Sequence, residues 1–299
     1  MTEIKTKYID IGFEHDLLDA AIKNLEEKSN VLRFNNFAYS IRELSRHILH
    51  RLASDEEVKN CPWYSPNYDD KKELIITRGD RVRYAIHGGF DNNNLELLNL
   101  LDSIKKVNSN LTKTIELLNQ YTHINPDTFS LREEETESKA NKVIRAFNDF
   151  FGGIQSTRET LIDQLEDQID EKIMNETLYS TISDVDITAT HASIEDYDIQ
   201  ETTITNITSS NVLINVTGNI EVRQQYGSDG DQRRGDGYVT RATFPFEVTM
   251  QAPITKKLKY FSIKGNVFFN VDTSSFYGDD EEIDQAIEKE MTECLNKEK

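Results

Sequence analysis

The residues in this chain best suited to moving protons and holding phosphates are its arginines and histidines. They concentrate in Val31 to Leu52, VLRFNNFAYSIRELSRHILHRL, where Arg42, Arg46 and His50 recur every four residues. At helical spacing these three share one side, opposite an apolar stripe of Phe37, Ile41, Leu44, Ile48 and Leu52. The stretch carries Arg33, Arg42, Arg46 and Arg51 against Glu43 alone. An imidazole takes or gives a proton near neutral pH, and a guanidinium stabilises charge building on a phosphate. Cleavage of RNA at its own 2′-hydroxyl needs no more than that. His123 is a further imidazole, at or just beyond the last turn of a helix stopped by Pro126 in LNQYTHINPDTF. The helix dipole favours its protonated form there, so a structural role competes with a chemical one. The candidate catalytic set is Arg42, Arg46, His50 and His123. Arg78, Arg81 and Arg83 in TRGDRVRYAIHGG, with Arg233 and Arg234 in YGSDGDQRRGDGY, are the candidate nucleic-acid contacts.

Composition narrows the partners. A chain of 299 residues with 37% hydrophobic and 29% charged residues is long enough for two folded domains. With a formal net charge of -19, indiscriminate attraction to nucleic acid or to an anionic membrane is disfavoured, and contact with RNA or single strands must run through local basic patches. Cys61 and Cys294 are too few and too far apart for a disulfide framework or a thiolate metal cluster, and read as reduced thiols. No signal-peptide core and no membrane-length apolar run is present, so the expectation is a cytoplasmic protein. Phosphate-loop, zinc, nucleophile-elbow and kinase strings are absent, and no cofactor is expected. Asp229, Asp231 and Asp236 invite calcium, but Arg233 stands where an oxygen ligand is needed and no Glu closes the loop, so no metal is expected.

The elements that must position these residues divide in character near Ser183. Phe13, Leu17, Ala21 and Leu25 predict a first helix antiparallel to the basic one, across a short link at Ser29 and Asn30. Trp63 and Tyr64 read as core anchors of an ordered loop. Val82 and Ile86 give a helix stopped by Gly88-Gly89. The seam from Leu97 to Leu118 is interrupted by Asn108, where a bend is expected. Ala140, Val143, Phe147, Phe150 and Ile154 face a core, Gly152-Gly153 are expected to loosen or break that helix, and Ser156 with Glu159 reads as the capping box of the next. From Ile194 onward, Thr, Ile and Val alternate with polar residues in antiparallel strands, with YGSDGDQRRGDGY as the longest loop. Ile283 to Leu295 predict a C-terminal helix packing back on the body. The fold class is therefore α+β: an all-α helical bundle over residues 1–190, a smaller antiparallel β domain over 191–280, and a helix over 281–299.

Two resemblances add to this reading. The α-helical ribonuclease domains called HEPN place an Arg four to six residues before a His, a spacing that Arg42 to His47 and Arg81 to His87 meet. In a regular helix Arg42 and His47 project roughly 140° apart, so a dimer or a helix break would be needed to bring them together. Arg46 and His50 converge better, at a different interval. More broadly, the segments RELSRHILHRLASDEEVKNCPWY, RGDRVRYAIHGG, LNQYTHINPDTF, ITATHASIEDY, YGSDGDQRRGDGY with FPFEV, and NVDTSSFYG resemble a bacterial family described as predicted pPIWI-associating nuclease. The similarity runs from about residue 10 to 278. It implies a nucleic-acid-directed effector of a prokaryotic defence locus, acting beside Piwi-like proteins, with a protein partner from the same operon; the separation of Arg42 from His47 adds a homodimer as a further expectation. It carries no established catalytic set. The alternative is a non-catalytic interaction or sensor module of such a system.

Overall fold

The computed structural model describes residues 7–68, 70–179, 182–265 and 267–277. Helix α1 (Phe13–Glu26) and helix α2 (Arg33–Leu52) pack against each other. Phe37, Ile41, Leu44 and Ile48 of α2 are buried. The inner face of α1 is turned from the predicted stripe: Phe13 is 62% exposed, while Leu18, Ala21 and Leu25 are buried together with Glu14. The cause is a bidentate pair in which Arg51 Nε and Nη2 donate to the Glu14 carboxylate at 2.9 and 2.8 Å. Fixing Glu14 inward puts Leu18, four residues on, beneath it.

Helix α3 (Asp55–Lys59) starts on Ser54, and a two-residue hairpin, β1 (Asn67–Tyr68) with β2 (Leu74–Ile75), leads to α4 (Arg78–His87). Thr77 and Asp80 form a reciprocal capping box at the start of α4, and Gly88 closes it at φ 53°. Helices α5 (Asn92–Leu97) and α6 (Leu101–Tyr121) follow. Asn108 does not bend α6. Its amide instead donates to Gly79 O at 3.4 Å and accepts from Thr112, so the polar gap in the seam is filled within the α4–α6 contact.

Helix α7 (Glu133–Tyr179) runs unbroken for 47 residues, about 70 Å. The predicted break at Gly152-Gly153 is absent: the helix packs through it, and a Cβ at Gly153 would make only ordinary contact, 3.7 Å from Val107 and 3.8 Å from Ile86. Burial of Phe150, Phe151 and Ile154 outweighs about 1 kcal/mol of propensity lost per glycine. Ser156 is accordingly a helix-interior residue whose carbonyl accepts from Thr160, not a cap.

After α8 (Ser183–Asp186) come β3 (His191–Ile207), β4 (Asn211–Tyr226), α9 (Asp229–Arg234), β5 (Tyr238–Pro253), β6 (Phe268–Val271) and α10 (Ser274–Tyr277). The four long-range strands form one sheet in the order β3-β4-β5-β6. Alternate residues of β4 and β5, among them Val212, Ile214, Val216, Phe244, Phe246 and Val248, are buried, so one face is core. The segment read as a long loop holds α9, opened by a capping box of Ser228 and Asp231. The chain is α+β, as expected; the C-terminal helix expected over 281–299 lies outside the described residues.

The chain forms two compact units. One comprises the residues up to Asp163 with Asn206–Val212 and Pro253–Phe261; the other comprises Gln164–Thr205, Leu213–Ala252 and the chain from Ser262. Within the first, the β3–β4 hairpin tip rests on the end of α4. Gly89 N–H donates to Thr208 O at 2.9 Å, and a Cβ at Gly89 would lie 1.9 Å from Ser209 O. Beside it Phe90 meets Phe261 edge-on at 5.4 Å, and Asn94 donates to Thr255 O at 2.8 Å. Within the second, Tyr197 donates to Asp170 at 2.9 Å and Gln168 accepts from Ile263 N–H at 3.1 Å, tying the end of α7 to the strands.

Two glycines should therefore respond oppositely to alanine. Gly89→Ala should cost about 3 kcal/mol or more in urea denaturation, because backbone must move. At Gly152 an added Cβ meets nothing within 4 Å, and Gly152→Ala should stabilise by about 0.5–1 kcal/mol.

Candidate functional site

The outer face of α2 is held by short-range pairs. Arg42 Nε donates to Asn119 Oδ1 at 2.7 Å and its Nη1 to Glu43; Arg46 Nε reaches the other oxygen of Glu43 at 3.0 Å. Glu43 thus gathers Arg42 and Arg46. Such half-exposed pairs are worth about 1 kcal/mol or less, so a phosphate could replace the carboxylate at small cost. His47 Nε2 lies 3.2 Å from Arg46 Nη2, and its ring meets Phe13 edge-on at 4.9 Å.

One turn on, His50 is exposed at the end of α2. Below it Arg81, buried in α4, donates to Ala53 O and to Asp55, fastening the α2–α3 turn. Partial burial and then the charge of Arg81 push the imidazole pKa down; Asp55 opposes them, and Arg46 and His47 add to the depression. His50 is therefore neutral at pH 7, a state that accepts a proton. Arg81 also holds the Asp55 carboxyl below its usual range. The arrangement of a neutral, exposed imidazole among guanidiniums can pull a proton from a hydroxyl while cations face the adjoining phosphate.

Arg81 and His87, six apart on α4, do not converge on solvent. His87 is fully buried, and Trp63 meets its ring edge-on at 5.6 Å. Burial, and then Arg83, push its pKa down to about 3. The Arg83 guanidinium stacks 4.2 Å from the Trp63 centroid and donates to Asn92 at 3.2 Å. Trp63 Nε1 donates to Gly88 O at 2.7 Å. Glu57 accepts from Ser209 N–H at 2.7 Å and from the Tyr84 hydroxyl at 2.9 Å; burial alone would raise its pKa, but these donors together lower it. Burial pushes the Cys61 thiol up to about 12, so it is inert.

The remaining predicted residues lie elsewhere. His123 is exposed beyond the end of α6, where its carbonyl accepts from the Thr128 hydroxyl at 3.0 Å. Asn35 grips Tyr121 O at 2.9 Å, two residues before His123, and Asn35 is about 22 Å from His50 along α2. The fold therefore groups Arg42 with Arg46, and His50 with Arg46 and Arg81, but leaves His123 at the other end of the helix. Arg78 opens α4 and is half-buried. Arg233 is exposed in α9, and Arg234 pairs with Asp231 and Asp236. Among the described residues no three of His, Cys, Asp and Glu converge as metal ligands, and no helix is long and apolar enough to cross a membrane. Glu43 stands out in the sequence only as the lone acid among these arginines, and Asp55 does not stand out at all. Ser54 to Glu57 signals a helix start, but nothing local reveals that Asp55 meets an arginine 26 residues away.

Two family models, both described as predicted pPIWI-associating nuclease, match residues 6–147 and 154–277. No curated protein and no solved structure matches. The chain belongs to the predicted pPIWI-associating nuclease family.

His87 makes the helical core acid-sensitive. The native ring stays neutral to about pH 3, whereas the unfolded ring protonates near 6.5. Stability is then full above about pH 6.5 and falls as pH drops from there towards 3. Urea denaturation at about pH 5 should show about 2 kcal/mol less stability than at pH 7.5, and His87→Phe should lose distinctly less over the same interval.

Proposed function

We propose that this member of the family is a nucleic-acid-directed effector that cleaves RNA without a metal, using the α2–α4 face. The observation that carries the reading is the exposed His50, one helical turn from the exposed Arg46 and at the α2–α3 turn that Arg81 fastens through Ala53 and Asp55. His50 takes the proton of a ribose 2′-hydroxyl. The 2′-oxygen then attacks the neighbouring phosphorus, the bond to the 5′-oxygen breaks, and that oxygen takes a proton from solvent. The products are a 2′,3′-cyclic phosphate and a 5′-hydroxyl. Arg46, released from Glu43, faces the phosphate oxygens, and Arg42 extends the cationic strip. Arg81 acts through His50, holding the α2–α3 turn and adding to the effect of partial burial in lowering the imidazole pKa. Arg78, Arg83, Arg233, Arg234 and His123 are proposed as outlying contacts to the strand, not as members of this centre. Family membership supports a nucleic-acid-related role in a defence setting, beside a protein partner.

Cleavage of labelled RNA, with single-stranded DNA as the control that lacks a 2′-hydroxyl, should fall about 10²- to 10⁴-fold on His50→Ala. The acid limb of the rate profile should lie below the ordinary imidazole value. Asp55→Asn should move that limb to lower pH and Arg46→Gln to higher pH, since the two charges push the imidazole in opposite directions. If wild type is inert towards both nucleic acids, alone and with the products of adjacent genes, the enzyme reading falls and the chain is a non-catalytic interaction module.

A further inference from the structure

A cleft of about 590 Å³ lies between α6 and α7, lined by Asn110, Lys113, Thr114 and Leu117 on one wall and by Ser138, Lys139, Lys142, Arg145, Ala146 and Asp149 on the other. None of these residues belongs to the α2–α4 face. Each of the two helices buries an apolar stripe, Leu111, Ile115 and Leu118 on α6 and Ala140, Val143 and Phe147 on α7. Flanking these stripes, the short side chains of Thr114, Ser138 and Ala146 leave a hollow that long cationic side chains rim.

The charge at this place is opposite to that of the whole. In a chain of net charge -19, four cations line the cleft against one carboxylate, Asp149. Lys139 is engaged with the Tyr121 ring, 5.4 Å from its centroid, and with Glu135 at 3.4 Å. Lys113, Lys142 and Arg145 are exposed and enter no ion pair among the described residues; Arg145 spends its Nε on Asn141 O at 3.2 Å. Ser138, Lys142 and Arg145 follow one another along α7 at four- and three-residue steps, so three donors repeat about every 5.4 Å in a row, which the Asp149 carboxylate closes at its far end. A row of donors at that repeat suits consecutive phosphates of a flexible strand better than one compact anion. Hydroxyl and amide donors from Thr114, Ser138 and Asn110 supplement the cations, and Leu117 with Ala146 offers an apolar floor for sugar carbons.

We propose that this cleft holds the phosphate backbone of a single-stranded nucleic acid, with Lys113, Lys142 and Arg145 as the principal contacts and no base-specific readout. The inference rests on the reading of the protein as nucleic-acid-directed, and adds to it a binding track distinct from the α2–α4 face.

Fluorescence anisotropy of the full chain with a short unstructured RNA tests it. Lys142→Gln with Arg145→Gln should weaken binding roughly tenfold or more near 0.1 M salt and flatten the log–log salt slope by about 1.4. Lys113→Gln, on the opposite wall, should give a smaller loss in the same direction. Lys256→Gln with Lys257→Gln removes the same charge from exposed positions and should bind as wild type does. If the double variant binds like that control while wild type binds RNA, the cleft is overturned and the nucleic-acid reading stands. If wild type binds neither RNA nor single-stranded DNA, both fall. Polyglutamate or a mononucleotide competing as effectively as the oligonucleotide would also overturn the assignment, in favour of an acidic protein or a nucleotide respectively.

Discussion

The close approach at Gly88 and Gly89 is the constraint on which the helical unit turns. A carbonyl of the β3–β4 tip comes so near the α4 terminus that no side chain fits between them. Around it, polar groups removed from water are matched one to another: Gly89 N–H with Thr208, Ser209 N–H and the Tyr84 hydroxyl with Glu57, and the Trp63 indole with Gly88 O. The Glu57 carboxylate is half-buried and loses part of its hydration, which its two donors offset. His87, sealed beneath, stays uncharged because burial, and then the charge of Arg83, disfavour its protonated form.

That arrangement bears on chemistry through α4. The helix that ends in the glycine seat also carries Arg81, whose guanidinium pins the α2–α3 turn and, after partial burial, adds to the lowering of the His50 pKa. Glu57 on α3 serves the seat, while Asp55, two residues earlier, serves Arg81. One short helix thus links the packing of the hairpin tip to the electrostatics of the α2 surface. The net acidity of the chain is compatible with nucleic-acid contact because cations are gathered on the α2 face and in the α6–α7 cleft.

Much of this was legible from periodicity. The α2 core stripe, the stop at Gly88-Gly89, the change of character near Ser183 and the alternation of the strands are all properties of local spacing. Where reading failed, a distant partner had overridden local preference. Glu14 faces inward because Arg51 meets it, Asn108 stays helical because Gly79 and Thr112 satisfy it, and Gly153 stays helical because Phe150, Phe151 and Ile154 around it are buried. The candidate site divided the same way. The Arg42, Arg46 and His50 stripe is a property of one helix, whereas Asp55 with Arg81, and the meeting of Lys113 with Lys142 and Arg145, depend on elements brought together only by folding.

The hairpin tip has a temporal consequence. Glu57 and Gly89 await Thr208 and Ser209 more than a hundred residues downstream, and Asn94 awaits Thr255. As the chain leaves the ribosome, its first helices can collapse on one another, but the unit they belong to stays unfinished until about residue 261 has emerged. Pairings of such sequence separation are slow to form. The helical part is therefore not a module that can be severed from the strands downstream: an early stop at the change of character near Ser183 would leave a charged carboxylate and a bare backbone amide facing water where the tip belongs.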